Sequence, residues 1–304
     1  MTAFTTAQIP DMSGRTVIVT GANSGIGEAA AAALAGAGAR TVLAVRDLHR
    51  GRQAAARISG ETDVRELDLA SLASVRRFAE QWQGEVDLLI NNAGVMVPPL
   101  GRTADGFELQ FGSNHLGHFA LTNLLLEHVR QRVVTVSSGA HRLGRIDFHD
   151  LNWERKPYRA WSAYGQSKLA NLLFTSELQR RLSAAGSPVI ATAAHPGYAA
   201  TNLQFHSQRR SFDLLSTVGN HLIAQDAPAG ALPTLYAAVA PVPGDSYAGP
   251  SRLFESRGAP KLVGRSRAAQ HADVAQRLWL VSEELTGVSF PLAAGAAAAS
   301  AGAS

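Results

Sequence analysis

The run Thr16-Val-Ile-Val-Thr20 is short, β-branched and stops at Gly21, and an Ala-rich stretch over 25–39 follows a few residues later. A buried strand that breaks at glycine and resumes as a helix is the opening of a βαβ unit. The alternation continues, with strands predicted at 41–45, 64–67, 86–90, 132–137 and 189–194 and helices at 46–59, 71–83, 103–130 and 162–185. These strand runs are apolar without a period of two, the pattern of strands covered on both faces. Right-handed crossovers between them build an α/β fold, a doubly wound parallel sheet in three layers. Ligands of such sheets bind beyond the carboxyl ends of the strands. The site is therefore expected at the loop after Gly21, at Arg46, Asp68, 91–94 and 137–138, and at 195–201.

With 304 residues, 46% hydrophobic and 17% charged, the chain can bury one large core. One catalytic domain over 1–292 is expected, with 293–304, only Ala, Gly and Ser, as a disordered tail. The absence of Cys excludes a disulfide scaffold, a thiolate zinc site, an iron–sulfur cluster and a Cys nucleophile, and points to the cytoplasm. The 28 Lys and Arg exceed the 24 Asp and Glu by a margin too small and too dispersed for a nucleic-acid-binding face. No run reaches the roughly 18 apolar residues of a membrane span. Residues 1–11 also lack the basic flank and apolar core of a signal peptide, so no membrane partner is expected.

Thr20-Gly-Ala-Asn-Ser-Gly-Ile-Gly27 joins the first strand to the first helix. Gly21, Gly25 and Gly27 permit a tight turn in which backbone N–H groups, flanked by Asn23, Ser24 and Ile26, approach a pyrophosphate at the helix N-terminus. A glycine-rich turn can also be merely structural, but its place at the first βα junction favours the phosphate cradle of a Rossmann-type sheet, spaced G-x-x-x-G-x-G. No Lys follows the last glycine, which excludes a P-loop, and Ala22 takes the first glycine position of a nucleophile elbow around Ser24. Arg46 ends the second strand, where Arg pairs with an adenosine 2′-phosphate and an acid would bond a 2′-hydroxyl. Asp47 is read as the cap of the next helix. NADP(H) is favoured, NAD(H) is the alternative cofactor, and a solvated surface role stays open for Arg46. Asp68, followed by Leu69, is placed either beside an adenine amino group or as the N-cap of the helix near Ser71. In Asn91-Asn-Ala-Gly94 the amides of Asn91 and Asn92 can tie strands together, while Ala93 and Gly94 leave room for a flat ring or ribose; a structural turn is the plainer reading.

Tyr164 and Lys168 lie four apart on one predicted helix and share a face. A phenol titrates near 10. A neighbouring ammonium and the positive ring of an oxidised nicotinamide favour its ionised form, making Tyr164 a general acid for carbonyl reduction or a base for alcohol oxidation. Ser138, at the preceding strand end, can donate to the same substrate oxygen. Asn114, inside the long central helix, can interrupt the helical ladder and hold a water that connects Lys168 to solvent.

Taken together, Thr20 to Gly27, Asn91-Asn-Ala-Gly94, Asn114, Ser138, Tyr164-Gly-Gln-Ser-Lys168 and Pro196-Gly197 resemble the short-chain dehydrogenase/reductase superfamily over 13–285. The resemblance implies the tetrad Asn114, Ser138, Tyr164 and Lys168, with Ser138 rather than Ser137 reactive. It also implies a cofactor surface at Pro196 and Gly197, with Thr201 on the nicotinamide carboxamide. Gly-Ser-Asn-His-Leu-Gly-His-Phe119 and 145–153 resemble the retinol dehydrogenase and protochlorophyllide reductase group, which generally uses NADP. The membrane-bound retinol enzymes carry an N-terminal apolar anchor that this chain lacks, so a retinoid substrate is not implied. Relatives often dimerise through helices matching 103–130 and 162–185, which makes a homo-oligomer the expectation.

The segment 198–223 carries Phe205, Phe212, Leu214, Leu215, Val218, Leu222 and Ile223 and is read as a lid over an apolar substrate, or as a short helix packed on the domain. Arg209 and Arg210 in it face either an acidic substrate or solvent. His115, His118, His141, His149, His195, His206 and His221 fall near the expected site, yet His115 and His118 lack an acidic partner at metal-ligand spacing, and no metal is expected. The expected activity is hydride transfer between NADP(H) and the carbonyl or alcohol carbon of a small, apolar substrate. A regulatory protein that binds NADP without turnover is the alternative, opposed by the intact Tyr164–Lys168 pair. A sugar-nucleotide epimerase would need a larger C-terminal substrate domain.

Overall fold

A computed structural model describes residues 3–197 and 226–294. Strand β1 (Thr16–Thr20) lies inside the sheet, with Val17 and Val19 turned to one helical layer and Ile18 to the other, all fully buried. Burial on both faces is what the unbroken β-branched run encodes. Parallel to it run β2 (Arg40–Val45), β3 (Thr62–Glu66), β4 (Val86–Asn91), β5 (Val129–Val136) and β6 (Ile190–Ala194). The order is β3-β2-β1-β4-β5-β6-β7-β8, so the winding reverses between β1 and β4 and opens a crevice at their carboxyl ends.

Two strands were not legible in the sequence. β7 (Tyr247–Arg252) pairs parallel to β6, and β8 (Arg257–Leu262) pairs antiparallel to β7 at the edge. Each contains Gly and Pro and neither has an apolar run, a composition tolerated at a sheet edge. The sheet is therefore parallel except for its last strand.

One helical layer contains α1 (Gly25–Gly36), which packs Ala30, Ala31 and Leu34 against β1. Next in the chain come α2 (Leu48–Ala55) and α3 (Leu72–Glu80). The helix expected over 103–130 is shorter and interrupted. Thr103 and Phe107 close a turn (N to O 2.9 Å), and Gly106 there adopts φ +87. A helical turn α4 (Leu109–Phe111) then starts on Glu108, whose buried carboxylate accepts the N–H groups of Gln110 (3.0 Å) and Phe111 (2.7 Å). A π-helical turn, Gly112–Leu116, follows and carries Asn114, after which α5 (Gly117–Leu125) resumes the regular ladder. β5 begins at Val129, earlier than expected.

The second layer also holds α6 (Ala160–Ala184), while α7 (Ala227–Val239) joins the α1 layer and α8 (Ala272–Thr286) packs on α6. Ala293 and Ala294, expected to belong to a structureless tail, lie in a 3-10 turn, Pro291–Ala294. The expected lid at 198–223, with Thr201, Arg209, Arg210, His206 and His221, and the tail from 295 lie outside the described residues. Among the described residues no helix is long and apolar enough to cross a membrane.

Trp279 of α8 clamps the two helices that carry the site. Its ring lies 4.9 Å from Phe119 of α5 and 5.7 Å from Phe174 of α6, and its indole N–H donates to Glu283 (2.8 Å). Trp279→Ala should cost about 3–5 kcal/mol, read as a lower urea midpoint at unchanged slope. A midpoint within error of the parent contradicts the clamp.

Three imidazoles are sealed in the core. Burial pushes His115 down to about 3, and His118 and His195 down to about 4. The unfolded chain takes up these protons near 6.5, so between that pH and about 4 it binds more protons than the folded one. Stability should fall as pH drops through this window, with the three ring resonances unshifted down to about pH 5. Rings that titrate near 6.5 in the folded protein contradict the assignment.

Candidate active site

A cavity of about 770 Å³ occupies the crevice at the carboxyl ends of the strands. Its lining includes Gly21, Asn23, Ser24, Gly25, Ile26 and Gly27 from the first turn, and Arg46, Asp68 and Leu69 from the next two strand ends. Asn92, Ala93, Gly94, Tyr164, Lys168 and Pro196 also line it, whereas the expected Asn114, Ser138 and Gly197 are not among its lining residues and Ser137 is.

The first turn fits a dinucleotide diphosphate. Gly21 has φ +67, and a Cβ there would press on Ala93. A Cβ on Gly27 would collide with the Asn92 amide and the Gly21 carbonyl. Ser24 stands at the N-cap of α1 but makes no side-chain cap hydrogen bond, so the first-turn N–H groups are left for an anion.

Arg46 is exposed on the cavity rim, and among the described residues it forms no ion pair with a carboxylate. Asp47 instead caps α2, accepting the Arg50 N–H at 3.0 Å, and that bond holds its carboxyl below the usual range. Asp68 does not cap α3, because Ser71 does so by accepting from Ser74 N–H (3.3 Å). One Asp68 carboxylate oxygen accepts the Ala70 N–H (2.9 Å) in a local turn that aims the residue at the cavity.

The floor is tied together by Thr20. Its hydroxyl oxygen accepts the backbone N–H groups of Asn92 and Ala93, each at 2.9 Å, while the Asn92 amide donates to the Thr20 carbonyl (2.8 Å). Asn91 points the other way and donates to Thr122 of α5 (2.8 Å). Gly94 then passes so close to Asn114 Oδ1 and Lys168 Nζ that a Cβ would lie 3.2 Å and 3.4 Å from them.

The reacting side chains converge from three elements. Asn114 is fully buried in the π-helical turn; its amide accepts from Val95 N–H (2.8 Å) and donates to the Val95 carbonyl (2.9 Å) and to Ser167 (3.0 Å). Lys168 Nζ donates to the Val136 carbonyl (3.0 Å) and lies 5.8 Å from the centre of the Tyr164 ring. Ser137 spends its hydroxyl on the Lys168 carbonyl (2.7 Å), whereas the hydroxyl of Ser138 meets that of Tyr164.

Electrostatically the site departs from expectation. Burial pushes the Tyr164 phenol up to about 12, opposed only by the Ser138 hydrogen bond, and burial pushes the Lys168 amine down to about 8. The amine is turned to Val136, and both groups are dehydrated, which favours the neutral form of each.

Several supporting residues escaped the sequence reading. Glu108, Gln110 and Tyr158 form a network that carries the 144–159 stretch over the central helix: the Tyr158 hydroxyl donates to Glu108 (3.0 Å) and accepts from Gln110 (2.9 Å). Gln110 also accepts Val97 N–H (2.9 Å), so two amides four residues apart hold the 95–97 segment. The spacing of Gln110 and Asn114 was the available signal. Among the described residues no group of three or more His, Asp or Glu is arranged to hold a metal. His115 and His118 are buried in the core, His115 bonded to Ser282 (2.9 Å).

The family model for short chain dehydrogenase matches residues 15–211. Human retinol dehydrogenase 13 is 45% identical over 297 residues, covering 91% of this chain and 86% of that protein. A crystal structure of an uncharacterized protein from Mycobacterium paratuberculosis superposes with a TM-score of 0.85 at 54% identity, covering 95% of this chain and all of that one. The Pseudomonas aeruginosa RhlG/NADP active-site complex superposes with a TM-score of 0.53 at 26% identity, over 64% of this chain and 77% of that one. By sequence and by fold, the chain belongs to the short-chain dehydrogenase family of oxidoreductases.

Proposed function

We propose that this chain transfers hydride between NADP(H) and the carbonyl or alcohol carbon of an apolar small molecule, with Tyr164 as the general acid. The observation that carries the reading is the placement of Tyr164 and Lys168 in the same cavity as the uncapped glycine turn. The bound nicotinamide cofactor supplies or accepts the hydride and, when oxidised, adds a positive charge beside the phenol.

The remaining steps belong to the chain's own residues. The Ser138 hydroxyl holds the substrate oxygen, and the Tyr164 hydroxyl gives it a proton as negative charge develops there. A phenol pushed up to about 12 is protonated at neutral pH, the form that carbonyl reduction requires. Alcohol oxidation needs the phenolate, which the protein's own groups disfavour until the oxidised cofactor's charge is added. Reduction is therefore the direction these residues support. Asn114 fixes the 94–95 main chain against Lys168, so the amine stays beneath the phenol.

Arg46, exposed on the rim and not paired with a carboxylate among the described residues, supports the 2′-phosphate of NADP over the 2′-hydroxyl of NAD. The RhlG neighbour is itself an NADP complex, which agrees with this choice. Val95, Met96 and Leu109 add apolar surface to the cavity lining, and the likeness to a retinol dehydrogenase fits an apolar aldehyde or ketone.

Two substitutions test the assignment against a panel of aldehydes and ketones of graded chain length. Tyr164→Phe should lower kcat by about 100-fold to 10,000-fold while NADPH binding persists, and retained turnover contradicts the proton-donor role. Arg46→Asp should raise the ratio of NADH to NADPH turnover at least tenfold by weakening NADPH binding about 1.4 kcal/mol or more. An unchanged ratio contradicts the phosphate assignment.

A further inference from the structure

We infer that His118 is a positioning residue that locks the main chain of Asn114 to the floor of the cofactor cavity. The inference rests on the function proposed above and names what holds its machinery in register. His118 is one turn beyond Asn114 on the central helix and is 1% exposed. Its Nδ1 lies 3.0 Å from the Asn114 carbonyl oxygen and its Nε2 lies 2.9 Å from the Thr20 hydroxyl.

These partners leave one arrangement of protons. A carbonyl only accepts, so Nδ1 carries the hydrogen given to Asn114. The Thr20 oxygen already accepts two backbone N–H groups, from Asn92 and Ala93, and its single hydrogen has two acceptors within reach, the Ile90 carbonyl at 3.4 Å and the closer Nε2 at 2.9 Å. Burial foremost, and then the nearby Lys168 amine, keep the imidazole neutral at physiological pH, so Nε2 is a lone pair that accepts it. The chain of bonds therefore runs from the cavity floor through Thr20 and the ring to Asn114.

Each end of that chain touches a different task. Thr20 fixes Asn92 and Ala93, against which the glycine turn closes. Asn114 lies in the π-helical turn, where the regular ladder is interrupted, and its side chain is already committed to Val95 and Ser167. The imidazole supplies a further bond to its main chain. Loss of the Nδ1 bond should loosen the turn that places Asn114 and Lys168; loss of the Nε2 bond should loosen the cofactor floor.

Three substitutions separate the two halves. His118→Asn keeps an amide N–H at the place of Nδ1, His118→Gln keeps an oxygen at the place of Nε2, and His118→Leu keeps neither. With NADPH and whichever panel carbonyl is turned over, H118N should hold kcat within about threefold while the NADPH Kd rises up to about tenfold, the range of one hydrogen bond. H118Q should hold Kd and lose kcat by a similar factor, and H118L should lose both. Wild-type values in H118L, or Kd and kcat moving together in all three, overturn the inference and leave His118 a packing residue.

Ring nitrogen shifts in the unsubstituted protein give a readout independent of variant folding and of turnover. A neutral Nδ1–H tautomer supports the inference, and an Nε2–H tautomer overturns it. Failure of the proposed reaction appears separately, as turnover retained in Tyr164→Phe with the tautomer unchanged.

Discussion

The site depends on one junction, where the carboxyl ends of β1 and β4 part on either side of the point at which the winding reverses. Strands that diverge leave unpaired backbone groups, and here the Thr20 hydroxyl gathers two of them. Asn92 closes the junction from the other side by donating to the Thr20 carbonyl. Because both partners are buried or half-buried, these bonds face little competition from water and fix the glycine turn. The close passage of Gly27 and Gly94 follows, since neither position leaves room for a Cβ without displacing this network or the amide of Asn114.

Around the junction, dehydration dominates direct charge pairing. Tyr164, Lys168, His115 and His118 all depart from their ordinary titration in the direction that favours the neutral form, and burial is the leading cause for each. A site built this way holds its acid protonated and its amine easily discharged, and it responds strongly to any charge that enters with a ligand. In the proposed reaction the protein would supply position and a dry cavity, and a bound cofactor would supply the decisive charge.

Six strands, and the placement of the glycine turn, Asn92, Gly94, Tyr164 and Lys168 on one cavity, could be read from sequence, because burial on both faces imposes continuous apolar runs and the crevice lies at their ends. The last two strands were not legible, since edge strands carry Pro and Gly and need no apolar run. The start of the central helix was misplaced because Glu108 caps it with a carboxylate that looks like any surface acid until Tyr158 is seen beside it. The bonds of His118 were not legible because its second partner, Thr20, is 98 residues away and no local spacing reveals it. Asp68 showed the opposite case: the local cap reading was reasonable, and a neighbour, Ser71, had already taken that role.

On the proposed function, the Tyr164 phenol is a protonated acid in the protein and becomes ionisable only when a cofactor with a positively charged ring is bound. The direct measurement is the ultraviolet tyrosinate difference between the parent and Tyr164→Phe, titrated with and without NADP+. Tyr164 should not ionise up to about pH 10 without NADP+ and should ionise clearly below that with it. A phenol that ionises early in the free protein, or one that NADP+ leaves unmoved, contradicts the proposal.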